Sequence, residues 1–147
     1  MPAQWYDWTC SCCATEWVER ATGHGRGADI YANREQVVYQ VGYPDNVNAT
    51  YGLMDGSGRE LQRVLEEHSG LQSAQDWLDF DTVYELAKST TGMMSGQAYY
   101  HWVALRGVRG SNIWISNSAP GYKGIWDELS HSDFERLGGW SVVWLIT

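Results

Sequence analysis

In Tyr99-Tyr100-His101-Trp102-Val103-Ala104-Leu105 the pattern of the chain turns from helical to strand-like, with a histidine at the head of the change. Residues 98–107, 112–117 and 140–146 are rich in Val, Ile, Trp and Tyr and are bounded by Gly, Asn and Ser, so each predicts a strand. The short Arg109-Gly110 step between the first two predicts a hairpin. Upstream the apolar period is helical. Cys13, Trp17 and Ala21, with Ala14 and Val18, form one stripe over residues 11–21. Residues 23–27 then break that helix. Asn33-Arg34-Glu35-Gln36 and Ser57-Gly58-Arg59-Glu60 have capping-box form. Residues 42–55 read mostly as loop, with the second box opening a helix that ends near Ser69-Gly70. Asp81 is the expected cap of a third helix with Val83, Leu86 and Ala87 inward. Residues 120–124 read as a loop, and Ser132-Asp133-Phe134-Glu135 as the cap of a last short helix. Helices first and strands later predict an α+β chain, N-terminal helices packed on a C-terminal, mostly antiparallel sheet. The 147 residues suit one domain over 1–147 with a core that needs no staples.

Charge and cysteine content narrow the partners. A formal charge of −8 argues against nucleic acid, since phosphate binding needs clustered Lys and Arg. It argues equally against adsorption to anionic lipid. No stretch reaches the length of a membrane span, and Met-Pro-Ala-Gln does not open a signal peptide. With Gln4 already a candidate site residue, no room is expected for an inhibitory pro-segment. The three cysteines, Cys10, Cys12 and Cys13, crowd one stretch and do not make a disulfide framework. A cytoplasmic or virion-associated location is expected, in a reducing compartment or after export by a route not written here. The Asn48-Ala49-Thr50 sequon has meaning only in a secretory chain.

Cys10 stands at the start of the helix over 11–21. Unpaired backbone N–H groups and the macrodipole there favour a thiolate. His101 lies far downstream, so a pairing with Cys10 has to be made by the fold.

Gln4 six positions before Cys10, His101 at a strand start, and Asn117 sixteen residues later resemble the papain-like peptidases that process bacteriocin (double-glycine) leader peptides. They resemble also that family's bacterial and phage relatives, some of which cut peptidoglycan. The resemblance runs from Gln4 through the first helix and from His101 to the C-terminus, with little of it between. It implies a papain-like cysteine peptidase fold. It also implies roles: Cys10 as nucleophile, His101 as base, Asn117 as the orienter of His101, and Gln4 with the Cys10 backbone N–H as oxyanion donors. No cofactor or metal is implied. The substrate would be a peptide or a peptidoglycan cross-link. Ser11, where relatives often carry Gly, is a departure.

Each residue also has a plainer reading. Cys10 is expected to be the nucleophile rather than a buried thiol, whereas Cys13 belongs to the Trp17 stripe and Cys12 has no assignment. Cys-X-Cys-Cys lacks zinc-knuckle spacing, and His24 is the sole nearby fourth ligand. His24 lies in a Gly loop, and His68 and His131 near helix ends suit surface capping. Asn117 suits a turn as well. Most of the tryptophans are expected in the core. The alternative to an enzyme is a silent papain-like scaffold, a structural or interaction module of a larger assembly. Oligomeric state is not legible.

Overall fold

Along the chain the strands are β1 (Val47–Asn48), β2 (Gly52–Leu53), β3 (Ser73–Leu78), β4 (Gly92–Gly96), β5 (Trp102–Arg109), β6 (Asn112–Ser116), β7 (Glu128–Leu129) and β8 (Trp140–Leu145). Helices α1 (Phe80–Ala87) and α2 (His131–Arg136) lie among them. The computed structural model describes residues 70–99, 101–117 and 119–146, with Val18, the strand pairs 47–48 and 52–53, Gln62 and Glu66. β1 and β2 form a two-stranded antiparallel ladder, which corrects part of the loop expected over 42–55. The other six strands form one sheet in the order β3-β8-β4-β5-β6-β7, every neighbouring pair antiparallel. Helices on an antiparallel sheet make the architecture α+β.

The first half of β5, Trp102 to Leu105, is buried at four consecutive residues. An alternating strand covered on one face would expose every second one, so both faces are packed here. α1 lies against β5 and β6 and contributes Phe80, Val83 and Ala87. Val103, Leu105, Ile113, Ile115, Val142 and Trp140 join that layer as one cluster. Trp140 is 1% exposed, and its indole N–H is satisfied by the Phe134 carbonyl at 2.8 Å. Each such apolar side chain contributes roughly 1.5–3 kcal/mol by leaving water.

In the six-stranded sheet β3, β4 and the short β7 were not expected. β3 carries Ser, Gln and Asp and sits at the sheet edge beside β8 alone. At its first residue the edge is closed by side chains: Ser73 N–H donates to Glu66 Oε1, and Gln62 Nε2 donates to the Ser73 carbonyl. β4 reads Gly-Met-Met-Ser-Gly, poor in strand formers, yet lies between β8 and β5. A Cβ on Gly92 would fall 2.1 Å from the Val143 carbonyl oxygen, so the close approach of these strands needs glycine.

Both expected caps move two residues upstream. Asp79, not Asp81, caps α1 by accepting from the Thr82 N–H at 2.9 Å. Ser130, not Ser132, caps α2 by accepting from the Asp133 N–H at 3.1 Å. Leu86 is half-buried while Phe80 takes an inward place. The hairpin turn is Gly110-Ser111, Gly110 having φ +60. Residues 98 and 99 belong to the turn before β5 rather than to the strand. Val18 is helical and 0% exposed, Gln62 and Glu66 are helical, and Gly70 adopts φ +72 with its N–H on the Glu66 carbonyl. The remaining residues of the expected helices over 11–21, 33–38 and 57–69 lie outside the described residues.

Candidate active site

The β5–β6 hairpin determines which residues meet at its open end. With Ala104 opposite Ser116, the residue leading into β5 and the residue leaving β6 are brought side by side. These are His101 and Asn117. His101 Nε2 lies 2.7 Å from Asn117 Oδ1. The histidine is 4% exposed.

The neighbours of Asn117 decide which way its amide points. The Ala119 N–H donates to Oδ1 at 2.9 Å. Nδ2 donates to the carbonyls of Ile125 at 3.3 Å and Trp126 at 3.2 Å, and to the Tyr99 hydroxyl at 3.3 Å. A flipped amide would set its NH₂ against the Ala119 N–H and its oxygen against two carbonyls. With the oxygen facing His101, Nε2 must be the ring's donor. The neutral ring then carries its lone pair on Nδ1, which no described residue hydrogen-bonds.

The turn after β6 supplies the carbonyls. The Gly121 N–H bonds the Ile125 carbonyl at 2.7 Å, and the Tyr122 N–H bonds that of Ala119 at 3.1 Å. Lys123 Nζ donates to the Ala98 carbonyl at 2.7 Å, tying this turn to the residues before His101. Gly121 has φ +85, and a Cβ there would press on the Trp126 ring at 3.1 Å. Around the imidazole stand Tyr99, edge-on at 5.3 Å, and Tyr122 at 5.5 Å.

Burial pushes the His101 pKa below its ordinary value of 6.5, and the hydrogen bond it donates to Asn117 opposes that shift in part. The described surroundings therefore favour neutral imidazole, a form able to accept a proton. An anion brought near Nδ1 would raise the pKa again.

Gln4 and Cys10 lie outside the described residues, as do Cys12, Cys13, His24 and His68, so the nucleophile and oxyanion expectations have no geometry here. The zinc alternative falls in the same stretch. Among the described residues no three His, Cys, Asp or Glu side chains cluster to hold a metal, and no helix is long and apolar enough to cross a membrane. His131 is on the surface at the first turn of α2, stacked on Phe80 at 4.6 Å and 3.3 Å from Glu135. Of the tryptophans, most of them expected in the core, Trp102 and Trp140 are buried there, while Trp126 is 64% exposed. Sequence reasoning missed Tyr99 and the Ile125 and Trp126 carbonyls as supports of Asn117. Nothing in spacing marks a backbone carbonyl, and Tyr99 reads there as one more strand former.

No protein-family model matches the chain, and no curated protein matches it by sequence. Solved structures do match by shape. One is a double-glycine motif protease from an AMS/PCAT transporter, crystallised with its leader peptide. It shares 15% identity at a TM-score of 0.66, covering 99% of this chain and 89% of its own. Another is described as a C39-like peptidase from Bacillus anthracis, with 10% identity, a TM-score of 0.60, and 96% and 90% covered. The likeness is one of fold. It spans nearly the whole chain, including the middle where sequence resemblance is thin.

Proposed function

We propose that this chain is a papain-like cysteine peptidase that hydrolyses peptide amide bonds, with Cys10 as nucleophile and His101 as base. The observation that carries the reading is the buried His101–Asn117 pair, whose hydrogen bonds leave the lone pair on Nδ1. The fold shared with two peptidases supports it, as does a leader peptide bound to one of them. Val18, helical and 0% exposed, suits a nucleophile helix packed into the domain.

In this mechanism Nδ1 takes the proton of the Cys10 thiol, and the thiolate attacks the carbonyl carbon. The oxyanion is held by the Gln4 side-chain amide and the Cys10 backbone N–H. As the C–N bond breaks, the imidazolium returns its proton to the leaving amine, leaving a thioester on Cys10. Water, its proton taken by Nδ1, hydrolyses the thioester to a carboxylic acid and restores the thiol. Asn117 keeps the ring in plane and in the correct tautomer throughout. Its amide cannot neutralise the imidazolium as a carboxylate would, so that cation is stabilised chiefly by the thiolate.

An activity-based thiol probe on the wild type and on Cys10→Ala, followed by a screen of peptide substrates, tests the reading. The wild type should label at Cys10 and cut at least one peptide, and Cys10→Ala should do neither. No labelling and no cleavage by the wild type would leave the domain a silent scaffold.

A further inference from the structure

Beside Asn117 the surface opens into a cleft of about 390 Å³, bordered by Arg106, Ser116, Asn117, Pro120, Trp126 and Asp127. Its position follows from an irregularity in β5. Leu105 pairs with Ile115 and Gly107 with Trp114, so Arg106 is the extra residue of a β-bulge. A bulge turns its extra side chain out of the alternating pattern. Here the Arg106 guanidinium lies over the face of Trp114, 4.0 Å from the ring centre, on the wall of the cleft. The carboxylate on that wall, Asp127, is already engaged by Arg109 Nη1 at 3.1 Å. The Arg106 guanidinium has no hydrogen-bond or ion-pair partner among the described residues. Its planar fork of N–H donors suits a carboxylate in two-pronged contact. Trp126, 64% exposed, also lines the cleft. A cation and a bare indole facing one cleft match an apolar side chain next to an acidic group.

The chemistry of the candidate active site says which part of a substrate comes this way. The leaving amine must reach Nδ1 of His101 to collect its proton, so the segment on the amine side of the cut departs past the His101 ring, whose other nitrogen is held by Asn117. Asn117 borders both the imidazole and the cleft.

We propose that this cleft binds the amine-side segment of the peptide, with Trp126 against an apolar side chain and Arg106 paired to a carboxylate. The carboxylate is either an acidic side chain or the free end of the chain. This rests on the peptidase reading for its direction, but its test needs no turnover.

The probes are amine-side product peptides titrated into the full-length wild-type chain: Ala-Phe-Glu-Ala-amide, Ala-Phe-Gln-Ala-amide, Ala-Phe with a free carboxylate, and Ala-Phe-amide. Binding is read from the Trp126 indole N–H resonance, assigned by its loss in Trp126→Phe. At least one carboxylate peptide should bind about tenfold tighter than its uncharged counterpart and shift that resonance. A gap in the glutamate pair identifies an acidic side chain, and a gap in the Ala-Phe pair a chain end. Arg106→Gln should close the gap. If that variant does not fold, Arg106→Lys, which keeps the charge but not the fork, should narrow it. Equal binding of charged and uncharged peptides, a gap unchanged in the folded Arg106 variant, or an unmoved Trp126 signal would each overturn the proposal. Carboxylate-selective binding without any cleavage would sink the peptidase reading and the amine-side direction with it, and leave Arg106 and Trp126 as a site for carboxylate-bearing peptides.

Discussion

The two halves of β5 make opposite demands on the same strand. His101, leading into it, and Trp102 to Leu105 are all buried. Past the bulge, Arg106 to Arg109 are exposed or half-buried, and two arginines lie over the Trp114 ring at 4.0 and 4.4 Å. The buried half holds one imidazole in one orientation, and packing makes that orientation costly to lose. The exposed half keeps its charges in water, where a ligand can reach them. A bulge one residue long separates the two, so a base and a recognition side chain can share a strand.

Substitutions can test that division, and the largest effect belongs to the buried end. His101→Ala should lower the turnover of any cut peptide by roughly 10²–10⁴-fold, the usual worth of a general base, with the folded spectrum kept. Next in size, Leu105→Ala should cost about 2–5 kcal/mol in urea unfolding, because Leu105 is 0% exposed and a cavity would remain. Val108→Ala, the matching change beyond the bulge and half-buried, should cost less than half as much. A similar cost at both sites would mean that the two halves are packed alike. Asn117→Ala should reduce turnover less than His101→Ala does, on the order of tenfold to a hundredfold, since the base remains but its orientation is lost.

A smaller effect comes from pH. His101 titrates lower in the fold than its unfolded value of 6.5, so the unfolded chain binds the proton more readily. Its contribution to stability is whole above pH 6.5 and is lost as the pH falls from there through the folded value. With Cys10 replaced by Ala, so that no thiolate raises the pKa again, urea midpoints should therefore drop between pH 7.5 and 5, and adding His101→Phe should flatten that part of the profile. The smallest effect is expected at the exposed end, where Arg109→Ala should change stability by about 0.2–1 kcal/mol, the ordinary worth of a surface ion pair.

How much of this was legible depended on where the determining atoms lie. His101 and Asn117 were paired in the sequence only through the family resemblance; the β5–β6 hairpin is what brings them together. β5, β6 and β8 were legible from their Val, Ile and Trp. β4 was not, because Gly92 answers to the backbone of β8 and Gly96 to the Leu137 carbonyl and the Trp140 ring, rather than to any periodicity. The cap of α2 shows a different difficulty. Ser130-His131-Ser132-Asp133-Phe134-Glu135 contains two overlapping serine-to-acid spacings, and local chemistry fits both. β7 decides between them: Leu129 is held opposite Ile113, so the helix starts at the next turn of chain and Ser130 becomes the cap. The bulge had a signal that went unused, Gly107 within a strand-like run. Its consequence, the placing of Arg106 over Trp114, depends on the partner strand and had none.

The central claim is that Nδ1 of His101 activates Cys10, and the alkylation rate of Cys10 against pH tests it most directly. Iodoacetamide is applied to the wild type and to His101→Ala, with modification at Cys10 followed by peptide mapping. The account predicts that Cys10 in the wild type reacts through a pKa well below the value of about 8.5 for a free thiol, and that His101→Ala moves the profile up toward it. A profile near 8.5 in both proteins would contradict it.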